Sequence, residues 1–207
     1  MIKLKKMLKE LLENKKFLNK INKFLKKKEI IDIILFGSAV RGKESPRDID
    51  IFIIYQDRFD KIIESNHLIS EDFKKEYKNI EVTGKKYKEI FKPEFLPRES
   101  LLTEGYSFVH KKFISECFDH KNYMLFKYSL KGKSKSQRVR FYYGLNGRGK
   151  EKGILKRYKC YKFSESLLIC DMENSEIIKT FFKSLDIKYD YFPILIPKRI
   201  VKYNIQK

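Results

Sequence analysis

The chain of 207 residues has no tryptophan, only five prolines and three histidines, and three cysteines (Cys117, Cys160 and Cys170). An odd, sparse set of thiols does not make a disulfide framework, and a reducing cytoplasm is the expected compartment. Long apolar runs are missing as well. The longest, around Ile30–Phe36, is interrupted by Asp32 and falls far short of the roughly 18 residues that span a bilayer. The basic N-terminus lacks the apolar stretch and small-residue cleavage site of a secretory signal, so no membrane partner is expected. Acidic residues are scarce relative to basic ones: 27 Asp and Glu stand against 47 Lys and Arg, a formal charge of +20. A disordered basic tail is nonetheless excluded. Hydrophobic residues make up 42% and aromatics 14%, enough apolar surface to drive folding.

The positive charge is segregated. Residues 1–28 hold eleven Lys and two Glu, and residues 121–162 hold fourteen Lys and Arg against the single Glu151. The remainder of the chain carries a slight negative balance, so something acidic is kept between two basic blocks.

Apolar residues at helical spacing (Leu4, Leu8, Leu11, Leu12, Leu18, Ile21, Leu25) predict one or two amphipathic helices ending near Lys26–Lys28. Ile30–Phe36 reads as a buried strand closed by Gly37-Ser38. A polar stretch with Pro46 leads to a second strand over Asp48–Tyr55, with Asp48 and Asp50 on one face. Residues 58–77 suit a helix. Asn79–Thr83 suits a short strand with Ile80 and Val82 inward and Glu81 outward, and Leu101–Tyr128 is expected to be helical. Past a Gly/Ser/Lys-rich turn at Lys131–Ser136, Ser134 and Gln137 form a capping box for a helix to about Leu145, which Gly147 and Gly149 stop. Tyr158–Phe163 and Leu167–Asp171 then read as a strand pair. A helix capped by Asn174 or Ser175 follows, and Tyr191–Ile196, interrupted by Pro193, is an edge strand at best.

Chemistry concentrates in Leu35-Phe36-Gly37-Ser38, Arg41-Gly42 and Arg47-Asp48-Ile49-Asp50-Ile51. Two carboxylates side by side on a strand repel unless a cation neutralises them, and hard oxygen ligands favour Mg²⁺ or Mn²⁺. Gly37 and Ser38 at a strand-to-helix turn supply the complementary half, a backbone a phosphate can approach and a hydroxyl donor, with Arg41 one turn on.

Gly37-Ser38, nine residues and then Asp48-x-Asp50 resembles the nucleotidyltransferase family of the DNA polymerase beta superfamily, most closely its minimal prokaryotic members, over roughly residues 25–105. The resemblance implies a third carboxylate on the next strand, where Glu81 fits although Asp is commoner there. Arg47 stands where a small polar residue is usual. It further implies two-metal transfer of a nucleoside monophosphate from an NTP, with ATP expected, onto an acceptor hydroxyl, and release of pyrophosphate. In those roles Asp48 and Asp50 bind both metals, Glu81 binds one of them, and Gly37, Ser38 and Arg41 hold the triphosphate.

Two other patterns are incomplete. Gly144…Gly149-Lys150 lacks the Ser/Thr of a phosphate loop, since Glu151 stands there. Cys117-x-x-His120 has zinc-like spacing but no second pair. Lys133, Lys135, Arg138, Arg140, Arg148 and Lys150 interleave with Phe141, Tyr142, Tyr143 and Tyr158, a mixture suited to phosphates and bases. The expected architecture is α+β: a nucleotidyltransferase domain with a short mixed sheet over residues 1–128, and a small basic α+β domain over 129–207. The leading expectation is a nucleic-acid acceptor, RNA in particular. The family resemblance also admits an antitoxin that adenylylates a HEPN-type toxin partner. A third possibility is a nucleic-acid-binding protein on this scaffold without turnover.

Overall fold

The computed structural model describes residues 6–41 and 48–200. Leu4, Gly42, Pro46 and Arg47 lie outside them. The chain divides into two compact units, Met1–Phe118 and Asp119–Lys207.

In the first unit α1 (Lys6–Glu13) and α2 (Lys15–Leu25) precede β1 (Ile30–Phe36), β2 (Ile49–Tyr55), α3 (Ile62–Lys74) and β3 (Ile80–Lys86). The Asn14 side chain accepts from the Phe17 N–H at 3.1 Å, capping α2 where the sequence turns from one helix to the next. After β3 come α4 (Arg98–Glu104), the short strands β4 (Tyr106–Ser107) and β5 (Lys112–Phe113), and one turn of helix, α5 (Ile114–Cys117). The strands form one sheet in the order β3-β2-β1-β4-β5, with β2 and β3 parallel and the other pairs antiparallel.

Alternation along the central strands serves two layers. Ile33 and Leu35 of β1 and Ile49, Ile51, Ile53 and Tyr55 of β2 pack with Phe17, Ile21 and Phe24 of α2 and Ile69 and Phe73 of α3. Ile34, Phe52 and Ile54 face the opposite way, onto Phe95 and Leu101. Both faces of β1 and β2 are therefore buried, which explains their near-continuous apolar runs. Tyr55 Oη donates to Asn66 Oδ1 at 2.8 Å, and Lys20 Nζ donates to the Asp72 carbonyl at 2.6 Å, tying α3 to the sheet and to α2.

The charge inside the longest apolar run has a structural use. Asp32 is buried and accepts from the Ile33 N–H (2.7 Å), the Ser107 hydroxyl (2.5 Å) and the Val109 N–H (3.2 Å). It thereby anchors the β4–β5 turn to β1. Burial holds its carboxyl above the usual range, against the lowering influence of those hydrogen bonds and of His110.

In the second unit β6 (His120–Ser129), α6 (Lys135–Asn146), a two-stranded hairpin of β7 (Gly147–Arg148) and β8 (Glu151–Lys152), and one helical turn α7 (Ile154–Arg157) come first. Then follow β9 (Tyr161–Ser164), β10 (Leu167–Asp171), α8 (Ser175–Ser184) and β11 (Lys188–Pro197). The main sheet has the order β11-β6-β10-β9, with all pairs antiparallel. Leaving out the hairpin and α7, this is β-α-β-β-α-β with the two outer elements of the sequence paired, a split βαβ arrangement. Phe126, Tyr128, Leu168 and Cys170 meet Phe141 and Leu145 of α6 and Ile178 and Phe182 of α8. The Ser134–Gln137 capping box forms in both directions, at 3.3 and 2.9 Å.

Two element readings are corrected, and the division into units differs with them. Leu101–Tyr128 is not a helix: α4 ends at Glu104, and residues 120–129 are β6, whose Asn122, Met124, Phe126 and Tyr128 alternate into the core. Aromatic and aliphatic residues at this spacing satisfy either period, and the cross-strand pairs with β10 and β11 decide for the strand. The units accordingly divide at 118/119, whereas the sequence placed the change after residue 128. The last strand is also longer than Tyr191–Ile196. It pairs with β6 over ten residues, and Pro193 is tolerated because β11 lies at the sheet edge. Among the described residues no helix is long and apolar enough to cross a membrane.

Candidate active site

β1 delivers the chain to Gly37 beside the point where β2 begins. The antiparallel register sets Phe36 opposite Asp50, and the parallel register sets Asp50 opposite Glu81 of β3. Cross-strand partners point to the same face, so Asp50 and Glu81 share one side of the sheet. Asp48, two residues before Asp50, joins them. Ligand atoms of Asp48, Asp50 and Glu81 all lie within 4.8 Å of one another, the first two half-buried and Glu81 exposed.

Burial raises the Asp50 carboxyl above its ordinary range. The neighbouring Asp48 and Glu81 charges and Glu104 add to this, and Arg41 opposes it. Among the described residues Arg41 is the cation that acts on these three converging carboxylates, which leaves them short of positive charge. The donor set, all carboxylate, fits hard divalent cations such as Mg²⁺ or Mn²⁺.

Gly37 is required twice. Its φ is +76°, which side chains rarely adopt, and a Cβ there would overlap the Asp50 carboxylate. A 3₁₀ turn, Gly37–Ala39, follows, with the Val40 and Arg41 N–H groups donating to the Gly37 carbonyl at 3.2 and 3.3 Å. Buried Ala39 and Val40 hold the turn down. The Ser38 Oγ is buried and, among the described residues, has no hydrogen-bond partner. A hydroxyl left in that state beside a carboxylate cluster is a donor awaiting an acceptor.

Arg41 does not point freely into solvent. Its Nη1 donates to Glu104 Oε2 at 2.7 Å; the Arg41 side chain is 34% exposed and that of Glu104 5%. Glu104, at the end of α4, belongs to the site, and sequence reading missed it. Sixty-three positions separate the two residues, and no local motif links them.

The cations singled out in the second unit have different fates. Lys133 is held by Asp186 at 2.8 Å with only 13% of its side chain exposed, and Arg138 Nε donates to the Lys133 carbonyl at 3.1 Å. Lys135, Arg140, Arg148 and Lys150 are exposed, and the Arg148 guanidinium lies over the Tyr143 ring, 5.0 Å from its centroid. Gly144 lies inside α6 against the Phe181 ring, and Lys150 lies in the hairpin, so the segment is no phosphate loop. Cys117 and His120 fall in different units, and among the described residues no His/Cys group has metal-binding geometry.

Comparison with curated proteins and with solved structures returned no match. A family model described as "Polymerase beta, Nucleotidyltransferase" matches residues 19–102, from the middle of α2 into α4. That span contains the Gly37-Ser38 turn and all three clustered carboxylates, and it agrees with the mixed sheet on which they stand. Residues 19–102 therefore belong to the nucleotidyltransferase family of the polymerase beta superfamily.

Proposed function

We propose that the protein transfers a nucleoside monophosphate from an NTP, with ATP the expected donor, to an acceptor hydroxyl on a nucleic acid, RNA in particular. The observation that carries this reading is the convergence of Asp48, Asp50 and Glu81 beside a glycine turn whose serine hydroxyl has no hydrogen-bond partner among the described residues.

Asp48, Asp50 and Glu81 would hold the divalent cations. Bound Mg²⁺ supplies Lewis-acid stabilisation of charge on the transferring phosphoryl group. The Gly37 turn gives the triphosphate room to approach the backbone, Ser38 Oγ donates to it, and Arg41 offsets its charge. Glu81, the exposed carboxylate, orients the acceptor hydroxyl and receives its proton. The acceptor oxygen bonds to the α-phosphorus, the bond from that phosphorus to the bridging oxygen breaks, and pyrophosphate departs. The second unit favours a polyanionic acceptor: residues 119–207 carry 21 Lys and Arg against 8 Asp and Glu.

The test is incubation of the full chain with each α-labelled NTP, Mg²⁺ and, separately, cellular RNA, DNA and cellular protein. Label on RNA that disappears with Asp50→Ala or with chelator is the expected result. Label on a protein instead points to the adenylylating-antitoxin reading. No transfer at all, with Asp48→Ala indistinguishable from wild type, overturns the enzymatic reading in favour of a binding protein.

A further inference from the structure

We infer that α6 and the β7–β8 hairpin form a docking surface for single-stranded polynucleotide, with Tyr143 and Arg148 as its base-stacking plate. The inference deepens the acceptor reading above, on which its choice of ligand rests. It concerns binding, which needs no turnover.

The hairpin is a built projection. Gly147, at φ +98°, closes α6, and a Cβ there would collide with the Glu151 carbonyl across the hairpin. Gly153, on the far side, fits against the backbone of Leu145–Gly147 with no room for a side chain. Gly149 at the tip faces open space with φ +58°. The backbone is thus pinned at its base and clear at its end, which sets Arg148 and Lys150 at the end of α6.

The charge on this element is unspent. Among the described residues Arg140, Lys150, Lys152, Lys156 and Arg157 form no ion pair, whereas Lys133, Lys162 and Lys179 nearby each hold a carboxylate at 2.8 Å. Arg148 sits over the Tyr143 ring rather than pairing with Glu151, its partner across the hairpin. Tyr143 is 46% exposed, on the same side of α6 as Val139 and Arg140, while Phe141 and Leu145 turn into the core. An exposed aromatic ring with a guanidinium over it offers stacking area, and the cations around it answer to phosphates. Stacking on such a plate requires a base that is not already paired. Single strands therefore fit this surface better than a duplex, in which the bases are stacked on one another.

The experiment is fluorescence anisotropy of the full chain, without NTP or metal, against labelled oligo-uridine RNA, oligo-thymidine DNA and an RNA duplex. The strands are about twelve nucleotides, within the span such surfaces cover. Binding of single strands at least tenfold tighter than of the duplex is expected, and the RNA and DNA arms tell which sugar is preferred. Tyr143→Ala and Arg148→Ala should each weaken single-strand binding about tenfold, and Tyr143→Phe should retain it because the ring remains. Lys150→Ala should lower the salt dependence of binding by about one phosphate contact. Circular dichroism establishes that the variants, all at exposed side chains, are folded. Equal or tighter binding of the duplex, or unchanged affinity in folded Tyr143→Ala and Arg148→Ala, overturns the inference. Its failure is separable from that of the enzymatic reading. Hairpin variants that bind normally while wild type still labels RNA sink only the surface, and a surface that binds while no NTP is ever consumed sinks only the reaction.

Discussion

Arg41 Nη1 donates to Glu104 Oε2 at 2.7 Å, so a buried carboxylate at the end of α4 holds the guanidinium that, among the described residues, opposes the rise of the Asp50 carboxyl. Glu104 acts through Arg41 and is a positioning residue. Glu104→Gln keeps an acceptor but gives up the charge assistance, and the guanidinium is then held less firmly. KM for NTP should rise on the order of tenfold with a smaller change in kcat, and Glu104→Asp should recover part of the loss. Arg41→Ala leaves Glu104 buried and unpaired, and should cost about 1–3 kcal/mol in urea unfolding, a range lowered for Arg41's partial exposure. Adding Glu104→Gln to Arg41→Ala should restore part of that stability. An additive double mutant would show that the pair is not coupled.

The carboxylate cluster gives a sign inversion between apo and metal-loaded protein. With no cation, ionised Asp50 is disfavoured by burial and by Asp48 and Glu81, so Asp50→Asn should melt at or above the wild-type temperature. With Mg²⁺ or Mn²⁺ at a hundredfold excess over Kd, wild type should gain roughly 2.7 kcal/mol and overtake the variant, which should gain little. Differential scanning calorimetry with and without chelator reads both halves.

Gly37→Ala combines a left-handed backbone with a side chain placed on the Asp50 carboxylate. The backbone conformation alone costs about 1–2 kcal/mol. Displacing Asp50 should remove nucleotidyl transfer by about a hundredfold or more, the scale on which an ångström of misplacement acts. A fully active Gly37→Ala would show that the turn does not set the position of Asp50.

Asp32 offers a pH-dependent readout away from the site. Its carboxyl is raised by burial, so the folded state takes up the proton at higher pH than the unfolded chain does. The stability of wild type relative to Asp32→Asn should therefore rise as pH falls from 7 through the folded pKa, and level off below the ordinary Asp value. Urea unfolding of both proteins at several pH values measures the difference. Asp32→Ala strands the Ser107 hydroxyl and the Val109 N–H, and should cost about 1–3 kcal/mol for each group left unsatisfied.

Much of the nucleotidyltransferase unit was legible because its signals are local. Ile30–Phe36 and Asp48–Tyr55 are apolar runs of strand length bounded by turn residues, Asp48 and Asp50 share a face by the two-residue period, and glycine at a strand end marks an unusual turn. The capping box at Ser134 and Gln137 is equally local, and it formed. The stretch Leu101–Tyr128 misled because alternating aromatic and aliphatic residues in β6 also satisfy a helical period.

Local spacing by itself determined that Asp48 and Asp50 share a face, which follows from backbone geometry within two residues, and it marked Gly37 as a turn at a strand end. Only the tertiary structure decided the rest. The parallel register of β2 and β3 brought Glu81 beside Asp50, and the packing of α4 against β1 brought Glu104 to Arg41. The charge in the longest apolar run became a clamp for the β4–β5 turn, and one lysine of the basic segment was spent on Asp186 while Arg148 settled over Tyr143. Apart from Arg148 over Tyr143, five residues apart, each of these pairings joins elements whose separation along the chain carries no information about their distance in space. In the first unit it is the burial of both faces of the central strands that sets that distance.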